Sequence, residues 1–416
     1  MEINRNRYLN TLLRKRSNGL IKIITGIRRC GKSYLLGTIF KNALIDEGVP
    51  ENHILHMSLD SFENEKYLNP KEFYTWATEK ITDNKTYYFL LDEIQLMDRF
   101  ESVLNGLNEK PNVEVYVTGS NAKFLSKDIA TEFAGRGDEI HMYPLSFSEF
   151  KSVYNGDNQH ALQKYMLWGG IPLVVLAAEE DKAKLLKTLF EETYIRDIIL
   201  KHKIRNQREL EDLLNILSSS IGSLTNPEKL MNTFRTVKKS KITANTIAKY
   251  IEYCEDSFLI ESAKRYDIKG KAYIETPQKY YFSDLGLRNV RLGFRQNEPT
   301  HIMENIIYNE LKIRGFEIDI GVVPVIEKNE KAMSVKKQLE IDFICTMGMK
   351  KYYIQSAYSL PDSTKREQEI RPFIKSGDSF KKIVITNDIT PPVYDDNGIL
   401  TINFLDFLNN ESILET

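Results

Sequence analysis

The stretch Gly26-Ile27-Arg28-Arg29-Cys30-Gly31-Lys32-Ser33 narrows what this chain can fold into more than any other feature. It fits the spacing G-x-x-x-x-G-K-[ST], and its flanks fit as well. An apolar run over 20–25 reads as a strand entering the turn, and 34–44 reads as a helix leaving it. A chance glycine turn ahead of an ordinary helix would supply the string without both flanks. Glycines at the fixed positions let backbone N–H groups converge on one cavity, where they and the helix N-terminus hold phosphate oxygens. Lys32 is then placed to neutralise the β- and γ-phosphates, and the Ser33 hydroxyl to ligate Mg²⁺, a hard cation that prefers oxygen. The expected contact set of the loop is Gly26, Arg29, Cys30, Gly31, Lys32, Ser33 and Tyr34, with ATP and Mg²⁺ as its ligands.

A second motif supplies the acids. Tyr87-Tyr88-Phe89-Leu90-Leu91-Asp92-Glu93 is an apolar strand ending in two carboxylates. Asp92, at the strand end, can hold Mg²⁺ through its water shell, and Glu93, one residue on, can polarise the water that attacks the γ-phosphate. Alone, such a string would mean only a strand running into a solvated turn; behind a phosphate loop it makes hydrolysis the expectation. A further strand, 113–118, ends in Thr118-Gly119-Ser120-Asn121, short polar groups arriving where open α/β sheets take ligands. Thr118 and Asn121 are candidates to sense the γ-phosphate, and a plain turn is the other reading. Arg136, in Ala134-Gly135-Arg136-Gly137, is either an arginine finger for developing charge or a solvated loop arginine.

Strand-like runs at 20–25, 53–58, 87–92, 113–118 and 139–143 alternate with helical stretches, which predicts a mostly parallel five-stranded sheet covered by helices over 1–150. Apolar residues then recur at helical spacing, as in LLKTLFEETYIRDIIL and LEDLLNILSSSIG, with breaks at Gly169, Gly170 and Pro172. A helical lid or linker is expected over 151–205. Lys238, Lys239 and Lys241 precede Thr243, which can cap a helix, and alternating segments over 264–282 suggest a hairpin. After 288, a helix over 304–312 and the strands LEIDFIC, KYYIQSAYS and KKIVITN read as a separate α/β domain.

With 416 residues, two or three domains can each bury a core. Apolar residues at 42% and charged residues at 28% exclude a largely disordered chain. A formal net charge of -1 leaves no overall basic field, so contact with nucleic acid must come from a local patch. No apolar run approaches the roughly 20 residues of a membrane span, and MEINRNRYLN lacks the apolar core of a signal peptide, so the expectation is a cytoplasmic protein with no membrane partner. Cys30, Cys254 and Cys345 are too scattered for a disulfide framework or a paired-cysteine zinc site.

These segments together resemble a large family of bacterial and archaeal AAA-like ATPases with a C-terminal domain of unknown function. The carriers are GIRRCGKS, LLDEIQ, VTGSNAKFLS, AGRGDEIHMYPLSFSEF, YIRDI, TIAKYIEYCEDSFLI and KYYFSDLGLRN, spread over nearly the whole length. The resemblance implies a P-loop NTPase core with the strand order of the additional-catalytic-Glu class. It also implies a winged-helix-like region, here 206–287, and a restriction-endonuclease-like α/β fold over 288–416. It carries Gly26, Gly31, Lys32, Ser33, Asp92 and Glu93 onto the nucleotide site, and Thr118 to Asn121 onto a sensor segment. Tyr194, Ile195, Arg196 and Asp197 match a signature without a derivable role; on a helix, Arg196 and Asp197 can simply make ion pairs.

Endonuclease-like folds place an Asp on one strand and Glu-x-Lys on the next, the acids binding Mg²⁺ and the Lys orienting water. Here Asp342 is present and Glu304 can add a carboxylate, but the next strand reads Tyr353-Ile354-Gln355-Ser356-Ala357, with Gln for the Glu and Ala for the Lys. Alanine neither orients water nor carries charge, so a domain kept for contacts is favoured over an ATP-regulated Mg²⁺ nuclease. The helix over 243–258, with Lys238, Lys239, Lys241 and Lys249, could enter a DNA groove, its hairpin following with Arg265, Lys269 and Lys271 near phosphates. Glu252, Glu255 and Asp256 on that helix would repel phosphates unless they face away. Double-stranded DNA and a protein therefore both stand as partners. Two functions are compatible with these residues: an ATPase whose cycle repositions the later domains on that partner, and a slow nucleotide-gated interaction switch. Neither fixes an oligomeric state.

Overall fold

Five short runs pair in parallel: β1 (Ile21–Thr25), β2 (Ile54–Ser58), β3 (Tyr87–Asp92), β4 (Val113–Thr118) and β5 (Gly137–His141). The structure is a computed structural model and describes residues 3–119, 133, 135–296, 298–328 and 334–416. β1, β3 and β4 are buried along their whole length, as near-continuous apolar runs require of strands covered on both faces. The order is β2-β3-β4-β1-β5, with β4 between the phosphate-loop strand and the acidic strand, as the resemblance implies.

Helices Pro70–Lys80 and Phe100–Asn108 cover one face. Phe73, Ala77, Leu104 and Leu107 pack there with Phe89, Leu91, Val115 and Val117, each large apolar side chain worth roughly 1.5–3 kcal/mol on burial. The first of these helices starts where the sequence says it should: Asn69 accepts from the Lys71 amide at 3.0 Å and Pro70 takes the first helical position. Leu36, Phe40 and Leu44 are buried in the helical segment after the phosphate loop, with the Phe40 ring tilted against Tyr116 of β4 at 4.7 Å between centroids. This sheet belongs to a compact unit made of Met1–Pro144 and Asp256–Phe258.

The second unit, Leu145–Glu255 with Leu259–Thr416, is built on a mixed eight-stranded sheet. Its strands are β6 (Ile260–Asp267), β7 (Ala272–Phe282), β8 (Glu317–Lys328), β9 (Ser334–Met347), β10 (Lys350–Ala357), β11 (Lys381–Thr386), β12 (Val393–Tyr394) and β13 (Leu400–Asn403), in the order β12-β13-β11-β10-β9-β8-β6-β7. The hairpin expected over 264–282 is β6–β7. It does not stand apart from the later strands, because Arg265 to Asp267 of β6 pair in parallel with Ile320 to Val322 of β8. A boundary at 287/288 therefore falls inside one sheet. The helices after residue 145 share that sheet's core: Phe147, Phe150, Ala161, Leu162 and Tyr165 lie in one cluster with Ile306, Phe343, Ile354 and Phe407.

The segment KYYFSDLGLRN has a structural explanation. Asp284 caps helix Leu285–Arg291 through the Leu287 amide at 3.1 Å and also accepts from the Gly170 amide at 2.7 Å. Arg288, fully buried, donates through Nε to the Ser218 carbonyl at 2.9 Å, and Asn289 Nδ2 reaches the carbonyls of Met166 and Leu167 at 2.8 and 2.9 Å. One short helix thus closes backbone groups on two distant segments, 166–170 and Ser218. Tyr194, Ile195 and Ile198 are buried and Arg196 is exposed, so the apolar part of YIRDI packs as core. Among the described residues, no helix is long and apolar enough to cross a membrane.

Candidate functional site

The phosphate loop leaves the end of β1 at Gly26, which has φ 136° and an environment that admits no side chain: a Cβ there would lie 2.1 Å from the Met142 carbonyl oxygen. Arg29 at φ 64° and Gly31 at φ 103° take left-handed conformations that turn the chain back, so that Lys32 opens the helix. Lys32–Tyr34 widens into a π turn at Leu35–Phe40 and continues as Lys41–Asp46. The first amides of such a helix have no partner within it, and the positive end of its dipole favours an anion. Lys32 is 5% exposed and its Nζ donates to the carbonyls of Gly26 at 2.9 Å and Ile27 at 3.0 Å, spanning the loop. Ser33, Tyr34 and Arg29 are exposed, whereas Cys30 is fully buried and anchors the loop in the core.

Strand register brings the acids level with this loop. Ile24 is opposite Thr118, Val117 opposite Leu91, and Asp92 opposite Ser58. Asp92 therefore stands two inter-strand spacings, about 10 Å, from the strand that feeds the loop. It is 5% exposed and accepts from the hydroxyls of Thr118 and Ser58, the latter at 3.3 Å. Glu93 is in a left-handed conformation at φ 53° and its amide donates to Thr118 Oγ at 3.1 Å. Its carboxylate accepts from the Gln95 side-chain amide. Thr118 is fully buried, so its hydroxyl ties the two acids together from β4. Ser58 and Gln95 escaped the sequence reading; Ser58 is a polar residue at a strand end, the pattern that pointed to Thr118, whereas Gln95 lies in the turn Ile94–Leu96 beyond β3. Ser120 and Asn121 lie outside the described residues.

Arg136 is not brought to the loop. Its carbonyl accepts from the Ile21 amide at 2.8 Å, and Gly137 is opposite Ile21, the first residue of β1. Because β5 runs parallel to β1, the residue preceding β5 lies at the N-terminal edge of the sheet, whereas the loop follows the C-terminal edge, about 15 Å away along the strand. Arg136 is exposed there, so the solvated-arginine reading replaces the arginine finger for this chain's own site.

The residues fit a magnesium nucleotide: a glycine turn packed against the Met142 carbonyl, a lysine spanning the loop, an exposed hydroxyl at the helix start, and a buried aspartate at the neighbouring strand ends.

In the second unit, Asp342 and Glu304 do come together, with Glu340 and around a lysine that the sequence reading did not supply. Lys279 of β7 lies 2.9 Å from Glu304, 2.8 Å from Glu340 and 3.6 Å from Asp342, and Tyr281 Oη donates to Glu304 at 2.7 Å. Burial alone would pull the Lys279 ammonium down, but Glu304, Asp342 and Glu340 hold it above its ordinary range. Burial pushes the Asp342 carboxyl up, against the pull of Lys279. Gln355 stays beside Asp342, its Oε1 accepting from the Asp342 amide at 3.4 Å while its Nε2 donates to Glu369 at 3.2 Å. Among the described residues, no group of His, Cys, Asp and Glu is arranged to hold a metal ion.

The expected basic surface is partly spent internally. Arg265 is buried and donates to Gln338 at 2.7 Å, Lys238 pairs with Asp212 at 2.7 Å, and Lys269 reaches the Pro324 carbonyl at 3.3 Å. On helix Ala244–Asp256, Lys249 and Glu252 are both exposed, and their three-residue spacing puts them on one face.

Residues 18–151 match the AAA domain, the class of P-loop fold to which the sheet order and the glycine loop belong, and residues 159–298 match a domain of unknown function, DUF8612. The chain belongs to one family with an uncharacterized protein of Haemophilus influenzae, to which it is 33% identical over 412 residues, 98% of either chain. An uncharacterized protein of Methanocaldococcus jannaschii is 32% identical over 392 residues, covering 88% of this chain and 82% of that one. Among solved structures, the ORC1 protein of Aeropyrum pernix in complex with DNA is similar at a TM-score of 0.29 and 11% identity, over 70% of this chain and 93% of that one.

Proposed function

We propose that this chain is a Mg²⁺-dependent ATPase whose nucleotide state controls how the region after residue 145 engages a DNA or protein partner. The observation that carries the reading is Gly26 pressed against the Met142 carbonyl, in a loop where Lys32 spans the cradle and Asp92 is level with it. The loop amides and Lys32 would hold the phosphates, and Ser33 with Asp92 would hold Mg²⁺, which would supply positive charge against the phosphate oxygens. Glu93 accepts a proton from the attacking water as the bond to the leaving phosphate breaks, giving ADP and inorganic phosphate. Thr118 keeps both acids in place.

Steady-state turnover tests this. Glu93→Gln should lower the rate by about 10²-fold or more, the scale at which a general base contributes, while ATP remains bound. An undiminished rate would remove Glu93 from the mechanism. The buried Arg265 and the Glu252 beside Lys249 favour a protein over double-stranded DNA. Turnover that rises with added DNA, and rises less at higher salt, would reverse that preference. Lys279 amid three carboxylates, with Gln355 and Ala357 on β10, favours a contact domain over a nuclease.

A further inference from the structure

Gln95 comes two residues after Glu93, in the short turn Ile94–Leu96. It is 8% exposed; its Nε2 donates to Glu93 Oε2, while its Oε1 is buried with no hydrogen-bond partner among the described residues. The amide cannot be reversed, because its carbonyl oxygen would then face a carboxylate oxygen, acceptor against acceptor. Its orientation is therefore set by Glu93, and the orphaned oxygen is what that orientation leaves behind. Buried polar atoms are almost always satisfied, and each exception calls for a reason. The glutamate beside it is a second exception: a non-glycine residue at φ 53° and ψ 43°, its amide fixed on Thr118 at 3.1 Å. Thr118 thus fixes the backbone of Glu93, and Gln95 fixes its carboxylate.

We infer that Gln95 is a positioning residue for hydrolysis: its amide sets the rotamer from which Glu93 receives the proton of the attacking water. The inference rests on the ATPase reading above. A glutamate side chain has three rotatable bonds, and a misplacement of about 1 Å at a reacting group can cost 10²-fold in rate.

Gln95→Leu keeps the volume and removes the donor. The expected result is a kcat at least tenfold lower, with KM for ATP, affinity for a non-hydrolysable ATP analogue and melting temperature unchanged. Should Gln95→Leu unfold, Gln95→Met keeps a flexible apolar stem and is read in the same way. Single-turnover rates in a Glu93→Gln background complete the test: there the Gln95 substitution has no further effect, because the group it positions is gone. A merely structural residue would cost the same in both backgrounds, and that outcome overturns the inference, as does a kcat equal to or above wild type in Gln95→Leu. If Glu93→Gln alone leaves turnover unchanged, the hydrolytic reading fails first. If Glu93→Gln is slow and Gln95→Leu is not, only the role of Gln95 falls.

Discussion

Asp284 shows how much a single enclosed carboxyl can couple this fold to pH. Burial raises its carboxyl from an ordinary 3.8 to about 6, against the pull of the Gly170, Leu287, Gly286 and Ile171 amides. A carboxyl whose folded-state value is raised contributes stability that is complete below its unfolded value and lost as pH climbs through the folded one. Between pH 4 and 7 the wild type should therefore lose more stability than Asp284→Asn, by an amount on the order of 2–3 kcal/mol. Thermal unfolding of both proteins across that window checks it, and parallel slopes would show that Asp284 does not titrate there. At this scale the turn at Gly26 and the start of the helix at Lys32 were legible because each depends on neighbours a few residues away. The hydroxyl of Thr118 was visible as a polar group at a strand end, but its targets were not, because pairing register decides whom it meets. Gln95 stood inside LLDEIQ and went unread, since nothing local says that its amide turns back onto Glu93.

Elements were easier to find than their neighbours in space. β1, β3 and β4 announce themselves as runs buried on both faces, and the expected strand at 139–143 is displaced only to Gly137–His141. Strand order, however, is a tertiary fact. Arg136 looked close to the site along the chain, and parallel pairing of β5 with β1 sends it to the far edge. The same limit hid Lys279, which lies on a hairpin strand read as part of another module and meets acids contributed by β9 and the helix Pro299–Ile313. Lys279→Met should destabilise this unit by about 3–5 kcal/mol, because Glu304 would keep its burial and lose its counter-charge. Chemical denaturation at pH 7 gives the number. A loss under about 1 kcal/mol would mean that proton uptake by the acids replaces the ammonium.

Across the whole molecule, the chain divides into an AAA-type unit that carries the loop and acids and a larger unit whose helices and eight-stranded sheet share one core. The three-way division after residue 150 misread that second unit because helical periodicity and strand alternation identify elements without revealing which of them bury a common face. Phe147 and Phe150, near the start of the helical region, pack in the same cluster as Phe407 near the chain's end. Hydrolysis and any control of a partner both require the first unit to bind a magnesium nucleotide at the loop. The direct measurement is titration of the full chain with a fluorescent ATP analogue, with and without Mg²⁺, beside Lys32→Ala. Saturable binding that Mg²⁺ tightens and that Lys32→Ala weakens at least tenfold is the predicted result; equal affinity in the two proteins would contradict it.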